Sequence, residues 1–174
     1  MAVLQILQEP NPILRMKSKD VEKVDNKLQT LMNEMLETMY QAPGIGLAAP
    51  QVGVLKRVIV IDLSKDEEKK NPLFFVNPKV VWKSEDIVSR EEGCLSIPGH
   101  FAEVRRPNKC KVEYLDYHGK MKLLDAENLL ATCIQHEIDH CNGILFIDYL
   151  SKLKKDMIIK KLVKHKKELN KIVL

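Results

Sequence analysis

The segment ATCIQHEIDHCNG, residues 131–143, places two histidines and a glutamate among apolar residues. On a helix, His136 and His140 project from the same face one turn apart, with Glu137 beside the first. Burying such groups without partners costs free energy, so a core helix that carries all three needs something to bind them. The pattern His-Glu-x-x-His is typical of hydrolytic metal sites, in which both imidazoles bind one ion and the glutamate acts on a water molecule. The segment therefore predicts a buried metal-binding helix.

A catalytic metal ion of this kind has three protein ligands and one open coordination position. Two cysteines are candidates for the third ligand. Cys133 precedes His136 by three residues on nearly the same helix face, and Cys94 lies in EEGCLSIPG, where Gly93 allows close backbone approach. Spacing alone favours neither cysteine. The remaining histidines offer no clear third ligand: His100, His118 and His165.

Apolar spacing and turn residues predict most of the other elements. In DNKLQTLMNEMLETMYQ, apolar side chains recur at three- and four-residue spacing, which predicts an amphipathic helix over residues 25–41. RVIVIDL (57–63) predicts a buried strand, and PLFFVNP and KVVW predict two short strands separated at Asn77 and Pro78. Residues 109–124 predict a hairpin that turns at His118 and Gly119. Residues 1–12 predict a first strand or an extended arm.

The histidine segment is expected to form a helix that begins after Asp125 as N-cap and stops at Gly143. Ser151 is a candidate N-cap for a last helix. Strands followed by a buried helix and a peripheral one predict an α+β fold, in which short antiparallel sheets pack around a central metal-binding helix. A chain of 174 residues is most simply one domain, residues 1–174.

Composition narrows the functional classes. No apolar run is long enough to cross a membrane, and the N-terminal segment lacks the basic start and cleavage site of a signal peptide, so a cytoplasmic location is expected. In that reducing compartment the four cysteines are expected to be free thiols or metal ligands. Residues 151–174 hold nine lysines against Asp156 and Glu168. They predict a helix with a solvated face, or a surface attracted to ribosomal RNA.

Three separated segments together resemble the signature motifs of the peptide deformylase family: GIGLAAPQ (44–51), EGCLS (92–96) and QHEIDH (135–140). Their order matches, and the basic helix over 151–174 is similar to that of the family's Gram-negative-like branch. The resemblance implies a hydrolase that removes the N-formyl group from the formyl-methionine of newly made polypeptides. It implies no membrane or DNA partner, and it favours a contact between the last helix and the ribosome.

The resemblance also implies roles for individual residues. Cys94 would join His136 and His140 as metal ligands, with Glu137 as the general base and acid for the water or hydroxide that attacks the formyl carbon. The Gln51 side chain and the backbone N–H of Leu95 would bind the carbonyl oxygen. Ile45 and Gly46 would contact the main chain of the substrate, and Leu129 and Cys133 would line a pocket for the methionine side chain. The family points to iron(II) as the cation in cells, with zinc, nickel or cobalt in purified protein.

Two other interpretations share the histidine helix. An endopeptidase of the zincin type would take its third ligand from downstream, where His165 and Glu168 lie in the lysine-rich segment. A structural zinc site on a ribosome-binding protein would be closed by a fourth ligand, for which Cys133 is a candidate. Glu91 and Glu92 are expected to be solvated or paired with an arginine such as Arg106. Asp139 is expected either to orient a histidine or to face solvent.

Overall fold

The computed structural model describes residues 2–172, with helix side chains through Glu168. Within that range the chain forms three α-helices: α1 (Asn26–Gln41), α2 (Asn128–Cys141) and α3 (Lys152–Ile172). It also forms seven strands: β1 (Gly46–Ala48), β2 (Val58–Ile61), β3 (Leu73–Lys83), β4 (Ile87–Cys94), β5 (Ile97–Pro107), β6 (Lys109–Leu115) and β7 (Met121–Glu127). All pairings between these strands are antiparallel, which confirms the predicted α+β class.

One sheet of five strands, in the order β1-β2-β3-β6-β7, carries most of the core. Helix α1 packs its methionines on one part of this sheet, and α2 packs against another. The α1 prediction is confirmed: Asp25 is the N-cap, and its side chain accepts a hydrogen bond from the Leu28 N–H at 2.9 Å. The hairpin predicted for residues 109–124 is confirmed as β6 and β7. The four residues of β2 are all fully buried.

Strand β3 is continuous, so the prediction of two strands separated at Asn77 and Pro78 was wrong. The sheet absorbs the Asn-Pro pair in an irregularity, because the register with β6 shifts between Val76 and Lys79. Asn77 takes a positive φ of 51° at this point. Its side chain exchanges two hydrogen bonds of 2.8 Å with the backbone of Val21, which ties the preceding segment of the chain to the sheet.

A second sheet, formed only by β4 and β5, was not predicted from the sequence. Cys94 at the end of β4 is the Cα partner of Ile97 at the start of β5, so Leu95 and Ser96 form the tight turn between them. The N-terminal residues form an extended arm and no strand, and Glu9 donates its N–H to the Ser96 carbonyl at 2.9 Å. This arm therefore supports the turn that carries the EGCLS motif.

Helix α2 lies at the centre of the molecule, and its residues 131–138 are all buried. The predicted N-cap was wrong: Asp125 belongs to β7, and the helix follows directly with Glu127 at the cap position. The predicted end is correct. Gly143 follows the helix with a φ of +75°, and a Cβ there would lie 2.4 Å from the Arg15 carbonyl oxygen, so only glycine fits.

Helix α3 begins after Ser151, whose hydroxyl accepts a hydrogen bond from the Lys154 N–H at 3.3 Å, so the predicted N-cap is confirmed. Among the α3 side chains that the structure describes, Leu162 is the buried one, and it packs in the small cluster that also contains Ile97 and Phe146. Among the described residues, no helix has the length and apolarity needed to cross a membrane.

Candidate active site and metal centre

Three side chains converge where the β4–β5 turn meets helix α2. Cys94, His136 and His140 each offer one donor atom, and these atoms all lie within 4.8 Å of one another. The Cys94 Sγ is 3.3 Å from the His140 Nε2. Ligands of one tetrahedral zinc-type ion, at ~2.3 Å for sulfur and ~2.0–2.1 Å for nitrogen, lie roughly 3.5 Å apart, so the donors present fit a single cation.

The structure separates the two cysteines that spacing left equal. Cys94 is at the group of donor atoms, whereas Cys133 is not part of it and faces Gly46 instead. All four cysteines are free thiols. Cys110 and Cys141 are buried in the cluster of apolar residues between the sheet and α2, as core packing predicts.

Glu92 on β4 fixes the orientation of His136. Its Oε1 lies 2.8 Å from the His136 Nδ1, which leaves the other ring nitrogen, Nε2, for the donor group. Arg106 donates to both oxygens of Glu92, from Nε at 2.7 Å and from Nη2 at 3.0 Å. Burial opposes ionisation of Glu92, but the hydrogen bonds from His136 and Arg106 outweigh it and hold the pKa of Glu92 below its ordinary value.

The same arginine continues the network to the outer side of α2. Arg106 Nη1 donates to Asp139 at 2.8 Å, and the Tyr149 hydroxyl donates to the same Asp139 oxygen at 2.7 Å. Asp139 thus orients Arg106 and not a histidine. The expected pairing of Glu92 with Arg106 is confirmed, but its contact with His136 was missed. We name Glu92, Arg106, Asp139 and Tyr149 the arginine network.

Glu137, the next residue of α2, has no such partner. It is 4% exposed, and its Oε2 makes no hydrogen bond. Burial raises the pKa of Glu137 to about 7, against the opposing effect of nearby His136. Gly46 makes room for this carboxylate, because a Cβ there would lie 2.8 Å from Glu137 Oε1 and 3.0 Å from Cys133 Sγ.

Gln51 brings an amide group to the same place. It lies in a short 3-10 turn, residues 49–52, and its Oε1 accepts the Ala48 N–H at 3.0 Å. That bond leaves its Nε2 facing Cys94 Sγ at 3.5 Å and Ser96 Oγ at 3.1 Å. The N-terminal arm supports this turn too, because the Leu7 N–H donates to the Gln51 carbonyl at 2.7 Å.

A cavity of about 500 Å³ opens onto these groups, a size ordinary for a small-molecule or peptide site. Nine of the ten predicted site residues line it, and the tenth, His140, lies behind them as a ligand candidate with 1% exposure. Ile45 and Leu129 are 45% and 43% exposed at its walls, in keeping with surfaces that a ligand would cover. The nine are Ile45, Gly46, Gln51, Cys94, Leu95, Leu129, Cys133, His136 and Glu137.

Residues 3–156 match the family model described as polypeptide deformylase. The chain belongs to the peptide deformylase family. It is 64% identical to a peptide deformylase of Pelagibacter ubique over 167 residues, which cover 95% of this chain and 96% of the relative. It is 56% identical to one from Phenylobacterium zucineum over 96% of this chain and 99% of that relative.

Solved peptide deformylases share the fold. A crystal structure from Ehrlichia chaffeensis superposes with a TM-score of 0.90 at 42% identity, covering 95% of this chain and 97% of that one. A peptide deformylase from Acinetobacter baumannii solved with bound Met-Ala-Ser gives a TM-score of 0.81 at 34% identity, over 86% and 99% of the two chains. The family is metal-dependent and acts on formylated new polypeptides, so the predicted enzyme class and reaction are confirmed.

The residue that sequence reasoning assigned least well is Glu92. Glu92 and Cys94 both belong to β4, but the register with β5 shifts between them, so simple strand alternation does not place them on one face. The segment SREEG has no apolar alternation, so its sequence does not predict a strand. Glu92 is buried there by a contact with His136, which is distant along the chain.

Proposed function

We propose that Cys94, His136 and His140 bind one divalent cation, and that the cavity in front of them deformylates the N-terminus of new polypeptides. The observation that carries this proposal is the convergence of the three donor atoms within 4.8 Å, at the base of a cavity that also contains a buried, unpartnered carboxylate. When bound, such a cation supplies Lewis acidity, which lowers the pKa of water and polarises a carbonyl group.

Glu137 is proposed as the group that moves the proton. Water adds to the formyl carbon, and Glu137 accepts a proton from that water. The carbon–nitrogen bond then breaks, and Glu137 returns the proton to the departing amine nitrogen, so that formate and a free N-terminal methionine result. Support comes from its free Oε2 and from the lack of any basic side chain paired with it among the described residues.

Gln51 and Leu95 are proposed to hold the formyl oxygen while negative charge develops on it. The Gln51 Nε2 is already aimed at Cys94, and the Ala48 N–H fixes its amide in this orientation. Leu95 follows Cys94 directly in the β4–β5 turn, so its backbone N–H belongs to the peptide bond that joins the two residues. Preorganised donors of this kind each contribute about 10²–10³-fold in turnover.

The rest of the cavity is proposed to hold methionine and the chain that follows it. Ile45 and Gly46 precede and begin the edge strand β1, so their backbone is placed to pair with an extended peptide. Leu129 and Cys133 supply apolar walls for the methionine side chain. The relative bound to Met-Ala-Ser supports a site for a peptide that begins with methionine.

The identity of the cation and the surroundings of the enzyme complete the proposal. One thiolate and two imidazoles suit iron(II), zinc, nickel or cobalt, and we propose iron(II) in the cell.

We further propose that residues 1–174 act as one domain in the cytoplasm, and that the basic face of α3 attaches this domain to ribosomal RNA. Support comes from the lysine excess and from the exposure of most of the α3 side chains described, residues 152–168. Ribosome binding should then weaken steeply as salt rises, and salt-independent binding would contradict it.

The decisive test of the reaction compares formyl-Met-Ala-Ser with acetyl-Met-Ala-Ser on anaerobically purified protein, with formate and free amine both measured. We expect release of formate from the first peptide and little reaction with the second. Cleavage of internal peptide bonds would instead favour an endopeptidase, and a metal-loaded protein without either activity would favour a structural site.

A further inference from the structure

A second concavity, of about 360 Å³, lies between strand β5 and helix α3. We name it the β5–α3 groove. Strand β5 contributes Phe101, Ala102 and Glu103, and the other side is formed by Leu150 and the α3 residues Lys154, Met157, Ile158 and Lys161. Phe101 also lines the candidate active site, so the two cavities share this one aromatic side chain as a wall.

The Phe101 ring lies at the border between the active-site cavity and the groove. A Cβ at Gly93 would lie 2.5 Å from a Phe101 ring carbon, so the ring packs directly against the backbone next to Cys94. Phe101 is nevertheless 66% exposed. A large aromatic side chain held against a glycine, yet open to solvent beside a peptide site, offers apolar surface to whatever leaves that site.

The dimensions suit a continuing polypeptide. Phe101 packs against Gly93, next to Cys94, and the register between β4 and β5 shifts at this point, so the groove begins close to the donor group. An extended substrate would reach it with the residues that follow its first few. The stretch from Lys154 to Lys161 spans roughly 10 Å of helix, which is about three extended residues.

The chemistry of the groove defines what it would accept. Its floor is apolar, from Ala102, Leu150 and Ile158, and Met157 is 49% exposed at the rim. Lys154 and Lys161 have no acidic side chain within 4 Å among the described residues. The single acidic residue of the groove, Glu103, accepts a hydrogen bond from Ser89 at 3.3 Å.

We propose that the β5–α3 groove binds residues of the formylated substrate beyond its first few and favours apolar and acidic side chains there. The inference rests on the proposed function of the neighbouring site. Helix α3 would thus contact the substrate itself, with Phe101 guiding the chain from one space to the other.

The experiment measures kcat/KM for three substrates: formyl-Met-Ala-Ser, an eight-residue extension with Leu at position five and Asp at positions six and seven, and the same extension with Lys in place of Asp. For the wild-type enzyme we expect the acidic peptide to exceed the tripeptide by about fivefold through a lower KM, as partial burial of one apolar side chain would give. The lysine peptide should show no such gain.

Three variants locate the effect. Met157→Asp should abolish the gain and leave the tripeptide unchanged, and Lys161→Glu should reverse the preference between the acidic and lysine peptides. Leu153→Asp is the matched control: Leu153 lies one turn earlier on α3 and is 71% exposed, but it does not line the groove, so the gain should persist.

The outcomes separate this inference from the proposed function. Failure to deformylate the tripeptide would overturn the function, whereas a flat response to length with normal tripeptide turnover would overturn only the groove. An equal gain in Met157→Asp and wild type would also overturn it. So would a flat length series combined with weaker ribosome binding by Met157→Asp, because the groove would then serve the ribosome.

Discussion

Two buried carboxylates near His136 differ in their hydrogen-bond partners. Glu92 and Glu137 are both almost fully buried, at 6% and 4% exposure. Glu92 has His136 and Arg106 as partners, which keep its pKa below the ordinary value, whereas burial without such a partner raises the pKa of Glu137 to about 7. Burial alone therefore does not determine what a carboxylate can do; its partners decide.

This difference assigns different work to the two carboxylates. A carboxylate held by an arginine is a fixed acceptor, suited to keeping an imidazole in one orientation. A carboxylate with a free oxygen facing a cavity can gain and lose a proton during a reaction. We therefore propose that the arginine network provides rigid support and that Glu137 is the reactive group.

The largest effect is expected from replacing Glu137. Glu137→Gln keeps the shape of the side chain but cannot accept a proton, so kcat for formyl-Met-Ala-Ser should fall by about 10²–10⁴-fold. Metal content and thermal unfolding should stay close to those of the wild type, and both should be measured on the same preparation. Activity within a few-fold of wild type would remove Glu137 from the assigned role.

Breaking the arginine network should instead lower the stability of the fold. Arg106→Met removes the guanidinium group that Glu92 and Asp139 share. Removing one partner of a buried ion pair typically costs about 3–5 kcal/mol in the free energy of unfolding. Denaturant unfolding measures this change. Arg105→Met is the matched control, because Arg105 is exposed at the adjacent position and should change the free energy by less than ~0.5 kcal/mol. Equal effects of the two substitutions would refute the network.

A gentler change tests how Glu92 supports His136. Glu92→Gln retains an oxygen acceptor but loses the charge, so we expect metal affinity to fall by about 10–100-fold, as for other groups that orient a ligand histidine. Competition with a chelator measures it. The exposed neighbour supplies the control, since Glu91→Gln should leave affinity unchanged. If both variants hold the metal as tightly as wild type, Glu92 does not orient a ligand.

The smallest effect is expected at the outer end of the network. Tyr149→Phe removes the hydroxyl that donates to Asp139 at 2.7 Å, while Arg106 still satisfies that carboxylate. Because Tyr149 is half exposed, the loss should lie near the low end of about 0.5–1.5 kcal/mol. Metal affinity and kcat should not change. A large loss of activity would contradict this expectation and show that Tyr149 affects the reaction through the arginine network.

The sequence predicts the elements whose signals are local. Helix α1 follows from its apolar spacing, and α2 follows from the histidine motif. The start of α2 was predicted wrongly because the helix follows β7 directly, without a capping side chain. Strand β3 escaped because Asn77 and Pro78 look like a break, while the sheet accommodates them with a shift in register. Pairing with the neighbouring strand β6 keeps β3 continuous, and the local sequence pattern does not show this pairing.

The candidate site divides in the same way. Residues in the motifs, such as Glu137 and Gln51, could be placed by their resemblance to a family, and spacing alone had left Cys94 and Cys133 equal. Of the arginine network, the pairing of Glu92 with Arg106 was predicted as one alternative, but the contacts to Asp139, Tyr149 and His136 were not, because they join separate parts of the chain. Such contacts depend on the register of a polar hairpin that has no hydrophobic alternation to reveal it.

The most direct test of the account is X-ray absorption spectroscopy of the metal in anaerobically purified enzyme, with metal content measured on the same sample. We expect one divalent cation per chain, bound by one sulfur at ~2.3 Å and two imidazole nitrogens at ~2.0–2.1 Å when zinc is the ion. Cys94→Ala should lose the sulfur signal, and Cys133→Ala should keep it. A coordination shell without sulfur, or one closed by a fourth protein side chain, would contradict the account.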